Sequence, residues 1–256
     1  MQFTIEQIVY FLCILVRIST FVYTAPFFSL RNVPQKVKLG LSIALAIILS
    51  QVLPYQPLIY VGVIGFAGLI IKEALAGLIM GFFSNICAQI ISFAGGMIDM
   101  EIGFSMVQEY DPVSATQITI TSNFYQYAVM LMMFITNLHH SIIAALVDSF
   151  TIVPLGQVEI NVTIYEAFLQ FIIDYFIIGF RIILPIFAAM LIVNTVLGIL
   201  AKVAPSMNMF VIGLQLKVFI GLIVLLFIVT TIPVVADFIF EEMFDMLKNA
   251  IAYLKG

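Results

Sequence analysis

Tryptophan is absent from the chain, and charge is scarce: ten Lys and Arg and fourteen Asp and Glu make up 9% of 256 residues. A soluble domain carries about 25% charged and about 45–50% apolar residues, because its surface must be wetted. Here 63% of residues are hydrophobic. The shortage of charge excludes a soluble globule and leaves an integral membrane protein, or a chain buried in an assembly of such proteins. Basic residues are too few and too scattered for a nucleic-acid footprint, at a net charge of −4. The two cysteines, Cys13 and Cys87, each sit inside an apolar run. They read as small hydrophobes, neither a disulfide nor a metal pair. The two histidines, His139 and His140, are adjacent. On a helix they point about 100° apart and do not chelate one metal together. HExxH, Gly-x-Ser-x-Gly and GxxxxGK[ST] patterns are all missing, so neither an enzyme nor a cofactor site is expected. Without Trp, any interfacial belt rests on ten Tyr and part of the 24 Phe. Met1-Gln2-Phe3-Thr4 carries no base and Arg17 interrupts the first apolar run, so a cleaved signal peptide is not expected.

What is there is long apolar stretches. Charge-free runs cover 18–30, 39–71, 74–98, 112–147, 182–201, 203–216 and 218–236. A helix crosses a hydrocarbon core of about 30 Å with about 20 apolar residues. Runs 74–98, 182–201 and 218–236 fit single crossings, and the first crossing runs from Ile5 to Phe28 around Arg17. Run 39–71 breaks at Pro54-Tyr55-Gln56-Pro57, and 112–147 is a span plus part of a hairpin. The expectation is an all-α membrane protein with about six hydrophobic helices. Pieces as short as 59–71 and 139–153 are read as re-entrant, or as helices buried in neighbours, since irregular backbone is not tolerated against lipid.

Arg31, Lys36 and Lys38 mark 29–38 as cytoplasmic. Asp99, Glu101, Glu109 and Asp111 form an acidic segment over 99–111, and Asp148, Glu159 and Glu166 another. Polar and apolar residues alternate at helical spacing over 237–255, with Phe240, Phe244, Leu247, Ile251 and Leu254 on one face. That amphipathic tail reads as an interfacial anchor or a docking surface. Arg17, Lys72, Glu73, Asp174, Arg181 and Lys217 are the ionisable residues in apolar surroundings. Such residues are costly in a membrane and mark either an ion relay or neutralised pairs. Their clustering at loop ends favours pairs.

Two further features stand out. Ala94-Gly95-Gly96-Met97-Ile98-Asp99 ends an apolar span and leads into a Met-bearing loop that stops at Asp111-Pro112. It reads either as a plain turn or as a flexible seal, since glycine permits close backbone approach and Met fills irregular gaps. Gly77 and Gly81 form a GxxxG, a device for tight helix packing in membranes.

Taken in order, these motifs resemble the FliR family of flagellar type III export apparatus subunits. The resemblance begins at Arg17 and Ala25-Pro26-Phe27-Phe28, then Val33-Pro34 and Lys36-Val37-Lys38-Leu39-Gly40-Leu41. It continues through Lys72-Glu73, the GxxxG, the Gly95-Gly96 segment with Gly103, and Asp111-Pro112. Asn137-Leu138-His139-His140, Pro154-Leu155-Gly156, Asn194-Thr195-Val196-Leu197-Gly198 and Ala204-Pro205-Ser206-Met207-Asn208 complete it. Two departures are a base set further from the proline in Lys202-Val203-Ala204-Pro205, and two histidines where the family often has one. They argue against a catalytic role for either position.

The resemblance implies a non-enzymatic, multi-pass subunit of the export gate in the bacterial inner membrane, at the flagellar basal body. It implies no cofactor. Its partners would be FliP- and FliQ-like sister membrane subunits and the FlhB-like switch protein, with unfolded exported proteins passing through. Residues 1–165 would be kin to one sister and 166–256, with the tail 237–255, to the small two-helix sister. The loop near 103–112 would help plug the resting pore, with Gly103, Phe104, Ser105, Met106, Tyr110, Asp111 and Pro112 as candidates. Lys202, Pro205 and Asn208 would lie near the cytoplasmic entrance and the switch partner. A virulence type III secretion gate subunit is the near alternative. A secondary transporter is the distant one, disfavoured because no mirrored pair of broken helices is evident.

Overall fold

Prolines set several of the element boundaries. A residue before proline is pushed out of the helical region. Accordingly α1 (Ile5–Thr24) ends with Ala25 extended ahead of Pro26, and α2 (Gln35–Val52) with Leu53 extended ahead of Pro54. In this computed structural model residues 4–30, 32–107, 109–111, 116–159, 161 and 164–255 are described. The remaining helices are α3 (Gly62–Ile102), α4 (Ile120–Ile135), α5 (Leu138–Ile152), α6 (Ile164–Val203), α7 (Met209–Ile228) and α8 (Ile232–Tyr253). Among the described residues a short antiparallel hairpin, β1 (Glu109–Asp111) with β2 (Thr116–Ile118), and an isolated bridge between Glu159 and Lys255 interrupt an otherwise all-α membrane fold. Among the described residues five helical stretches, with α7 and α8 taken as one, are long and apolar enough to cross a membrane, or up to six when the bent pair α4–α5 counts as one span.

Several boundaries differ from those read along the sequence. The piece 59–71 is not separate: α3 runs unbroken for 41 residues through Lys72 and Glu73. Charge does not end a helix when it is exposed, as Lys72 is, or neutralised, as Glu73 is. Likewise α6 begins at Ile164 and carries Asp174 and Arg181 within it, and it passes through Pro185. Run 112–147 is divided by Asn137, whose left-handed φ of 57° ends α4 and starts α5 at a bend of 73°. Asn tolerates that conformation better than other side chains bearing a Cβ.

The chain forms two compact units, residues 1–88 with 137–171 and 240–256, and residues 89–136 with 172–239. In the first, Ile14, Ile18 and Phe21 of α1, Met80 and Cys87 of α3 and Ile142 and Leu146 of α5 are fully buried, as are Leu247 and Ile251 of α8. The apolar face of the amphipathic tail is therefore used inside the unit. It is not an exposed anchor: Phe240, Leu247, Ile251 and Leu254 are each at most 2% exposed. Here too α1 and α3 nearly touch. A Cβ added to Gly77 would collide with the Arg17 carbonyl and Thr20 hydroxyl, and one on Gly81 with the Thr24 hydroxyl. In the second unit Ile90, Ile98 and Ile102 of α3, Met133 of α4 and Ile183, Ile186 and Met190 of α6 are buried. Of α7, only Gly213 and Gly221 are buried.

Candidate functional site

The first unit is organised around a buried charge pair. Arg17 and Glu73 are both fully buried, and Arg17 Nε donates to Glu73 Oε2 at 2.6 Å. Arg17 Nη1 donates to the carbonyls of Val153 (2.9 Å) and Ser149 (3.3 Å), at the end of α5. A helix C-terminus leaves carbonyls unpaired and carries partial negative charge, so a guanidinium fits it twice over. The second carboxylate oxygen, Glu73 Oε1, accepts from Gly156 N–H at 2.8 Å. Gly156 holds φ at +81°, a conformation that favours glycine. Arg17 Nη2 has no hydrogen-bond partner among the described residues, but the guanidinium carbon lies 4.5 Å from the Phe150 ring centroid. That contact is a cation–π interaction. One pair thus ties α1, α3, the α5 terminus and the turn after it.

The second unit holds the stem of the candidate pore loop. Asp99, expected in an acidic loop, is a fully buried residue of α3. Its Oδ2 accepts from the Thr121 N–H at 2.9 Å and its Oδ1 from the Thr121 hydroxyl. Thr121 lies in the first turn of α4, where backbone N–H groups lack intrahelical acceptors. The N-cap residue Thr119 makes no side-chain capping bond, so Asp99 caps α4 from another helix. One turn after Asp99 the helix stops: Gly103, at φ +97°, donates its N–H to the Asp99 carbonyl at 3.0 Å. A 3-10 turn over Phe104–Val107 and the β1–β2 hairpin follow, with Tyr110 paired to Gln117 and Asp111 to Thr116.

Gly103, Phe104 and Ser105 are half-buried. Met106, Tyr110 and Asp111 are described by backbone alone, and Pro112 lies outside the described residues. Among the charged candidates the structure brings together Arg17 and Glu73. Lys72 and Arg181 are exposed, while Asp174 and Lys217 are half-buried. Lys202, Pro205 and Asn208 are exposed where α6 gives way to α7, and Asn208 caps α7 by accepting from Val211 N–H at 3.5 Å. Sequence reasoning missed Asp99 as a site residue. The available signal was its spacing: Ser92, Gly95 and Asp99 follow one helical face, with the only polar atoms of a 90–99 run on that face. Among the described residues no three His, Cys, Asp or Glu side chains are grouped to hold a metal ion.

Comparison with known proteins gives a consistent answer. The family described as bacterial export proteins, family 1, matches residues 8–243. The flagellar biosynthetic protein FliR of Bacillus subtilis (strain 168) is 31% identical over 246 residues, covering 94% of this chain and 94% of its own. The FliR proteins of Escherichia coli (strain K12) and Aquifex aeolicus (strain VF5) are each 28% identical over 94% of this chain, and over 92% and 93% of their own.

Proposed function

The chain belongs to the bacterial export proteins, family 1, and from that premise we propose that it is a non-enzymatic subunit of the flagellar type III protein export gate. In this reading it joins FliP- and FliQ-like sister subunits in the bacterial inner membrane at the basal body. Together they form a channel for unfolded flagellar proteins, next to an FlhB-like switch protein. The observation that carries the reading is end-to-end similarity, 94% of both chains, to a protein named for flagellar biosynthesis. The surface supports it. Phe210, Phe219, Leu226 and Phe227 of α7 are between 64% and 72% exposed, and lipid or sister helices must cover them.

Residues 1–165 and 166–256 read as kin of two different sister subunits. The connection near 103–112 reads as the plug of the resting pore, with Phe104 and Met106 as sealing side chains. Deleting the chain is expected to abolish flagellar assembly, and affinity purification to recover sister membrane subunits. Recovery of a lone monomer with solute-uptake activity would overturn the gate. For the plug, Phe104→Ala, Met106→Ala or shortening of 103–111 is expected to leak ions through resting complexes. Unchanged conductance in assembled complexes would remove that role.

A further inference from the structure

The seam between α3 and α4 is polar where its surroundings are apolar. Ser92 Oγ accepts from Gln126 Nε2 at 2.5 Å, and the Ser92 carbonyl from Ser122 Oγ at 3.4 Å. Between them Gly95 presses on the Ser122 backbone so closely that a Cβ would not fit. The seam ends at Asp99 and Thr121, which are fully and nearly fully buried. A buried carboxylate is costly unless its acceptors are filled. Here they are filled by one amide and one hydroxyl of the same residue, at the positive end of a helix. An apolar pair would pack this seam as well, since buried ionic groups add little stability over well-packed hydrophobes. What a carboxylate adds is direction: two bonds to one residue fix where α4 begins relative to α3.

We propose that Asp99 is the positioning residue of the connection between α3 and α4, holding its two ends in register so that Gly103, Phe104 and Ser105 stay in place. The consequence for a seal rests on the plug reading above; the positioning itself does not. Thr119 gives α4 no side-chain cap, so loss of Asp99 leaves the buried Thr121 amide and hydroxyl without this acceptor.

The test uses the assembled membrane complex carrying Ser105→Cys, labelled with a small maleimide. The native Cys13 and Cys87 are both fully buried, so the new thiol dominates labelling of this chain. Asp99→Ala, which loses both bonds to Thr121, is expected to speed labelling at least about tenfold, the size of a single charge-assisted hydrogen bond. Thr121→Val, which keeps the amide and the side-chain volume, is expected to speed it less. Asp99→Asn, which keeps an acceptor for the amide, is expected to restore most of the protection. Should Asp99→Ala fail to assemble, Thr121→Val carries the same measurement. Unchanged labelling in assembled Asp99→Ala and Thr121→Val complexes would overturn the proposal, even if shortening 103–111 leaks ions and the plug reading stands. Faster labelling with unchanged ion conductance would support the positioning role and remove the plug.

Discussion

At the scale of single residues, the buried pair is where one change matters most. Removing one member of a buried ion pair costs about 3–5 kcal/mol, because the other charge is left uncompensated. Arg17→Ala and Glu73→Ala should each cost that much, read as thermal unfolding of the purified complex. Arg17→Met combined with Glu73→Leu should cost clearly less than the sum, since no naked charge remains. A sum that simply adds would mean that the two act separately. Arg17 and Glu73 were both legible as anomalies, because ionisable residues in apolar runs are rare. Their meeting was not legible: they stand 56 positions apart, and the Val153 carbonyl stands 136 from Arg17. Backbone acceptors leave no mark in a sequence. Asp99 is hidden for the opposite reason: in the sequence it is one of several nearby acids, although in the structure it is buried in α3 and bonded to α4.

At the scale of elements, the apolar runs gave the helices and misplaced their ends. Proline and asparagine marked true boundaries at Ala25, Leu53 and Asn137, whereas Lys72, Asp174 and Arg181 marked none. A helix keeps its backbone bonds across a charged side chain and usually ends before a proline, though α6 continues through Pro185. The GxxxG was legible as a packing device, but its partner was not. Gly77→Ala and Gly81→Ala should each destabilise by about 1–3 kcal/mol, the cost of overpacking, because α1 backbone and hydroxyls occupy the space a methyl would need. Gly68→Ala in the same helix meets nothing within 4 Å. It should be neutral or gain about 0.4–1 kcal/mol through the unfolded state. Thermal unfolding of the three variants side by side decides it, and equal losses would mean that α1 and α3 are not in contact.

At the scale of the whole molecule, composition announced a membrane protein and the structure shows how unevenly its apolar surface is used. α1 buries eight of its 20 residues, among them Arg17, while α7 buries only two glycines of its 20. The α7 surface is thus available for lipid or for other subunits. A charged residue on a membrane-facing helix is costly, by up to about 2.5–3.5 kcal/mol at the helix centre. Leu226→Lys, at a site 72% exposed, should therefore lower the yield of assembled complex and leave the folded first unit resistant to protease. Normal yield and flagellation with Leu226→Lys would place that face in water. Which exposed face meets lipid and which meets protein was not legible, since leucine and phenylalanine serve either environment equally.

The charge pair also has a history within each molecule. Synthesis runs from the N-terminus, so Arg17 enters the membrane long before its partners exist. At about 5–20 residues per second, the 136 residues from Arg17 to Val153 take about 7–27 s to make. Through that interval Arg17 lacks its α5 acceptors, although Glu73 follows it by 56 residues. The first segment translated thus completes its hydrogen bonds only after α5 has been made.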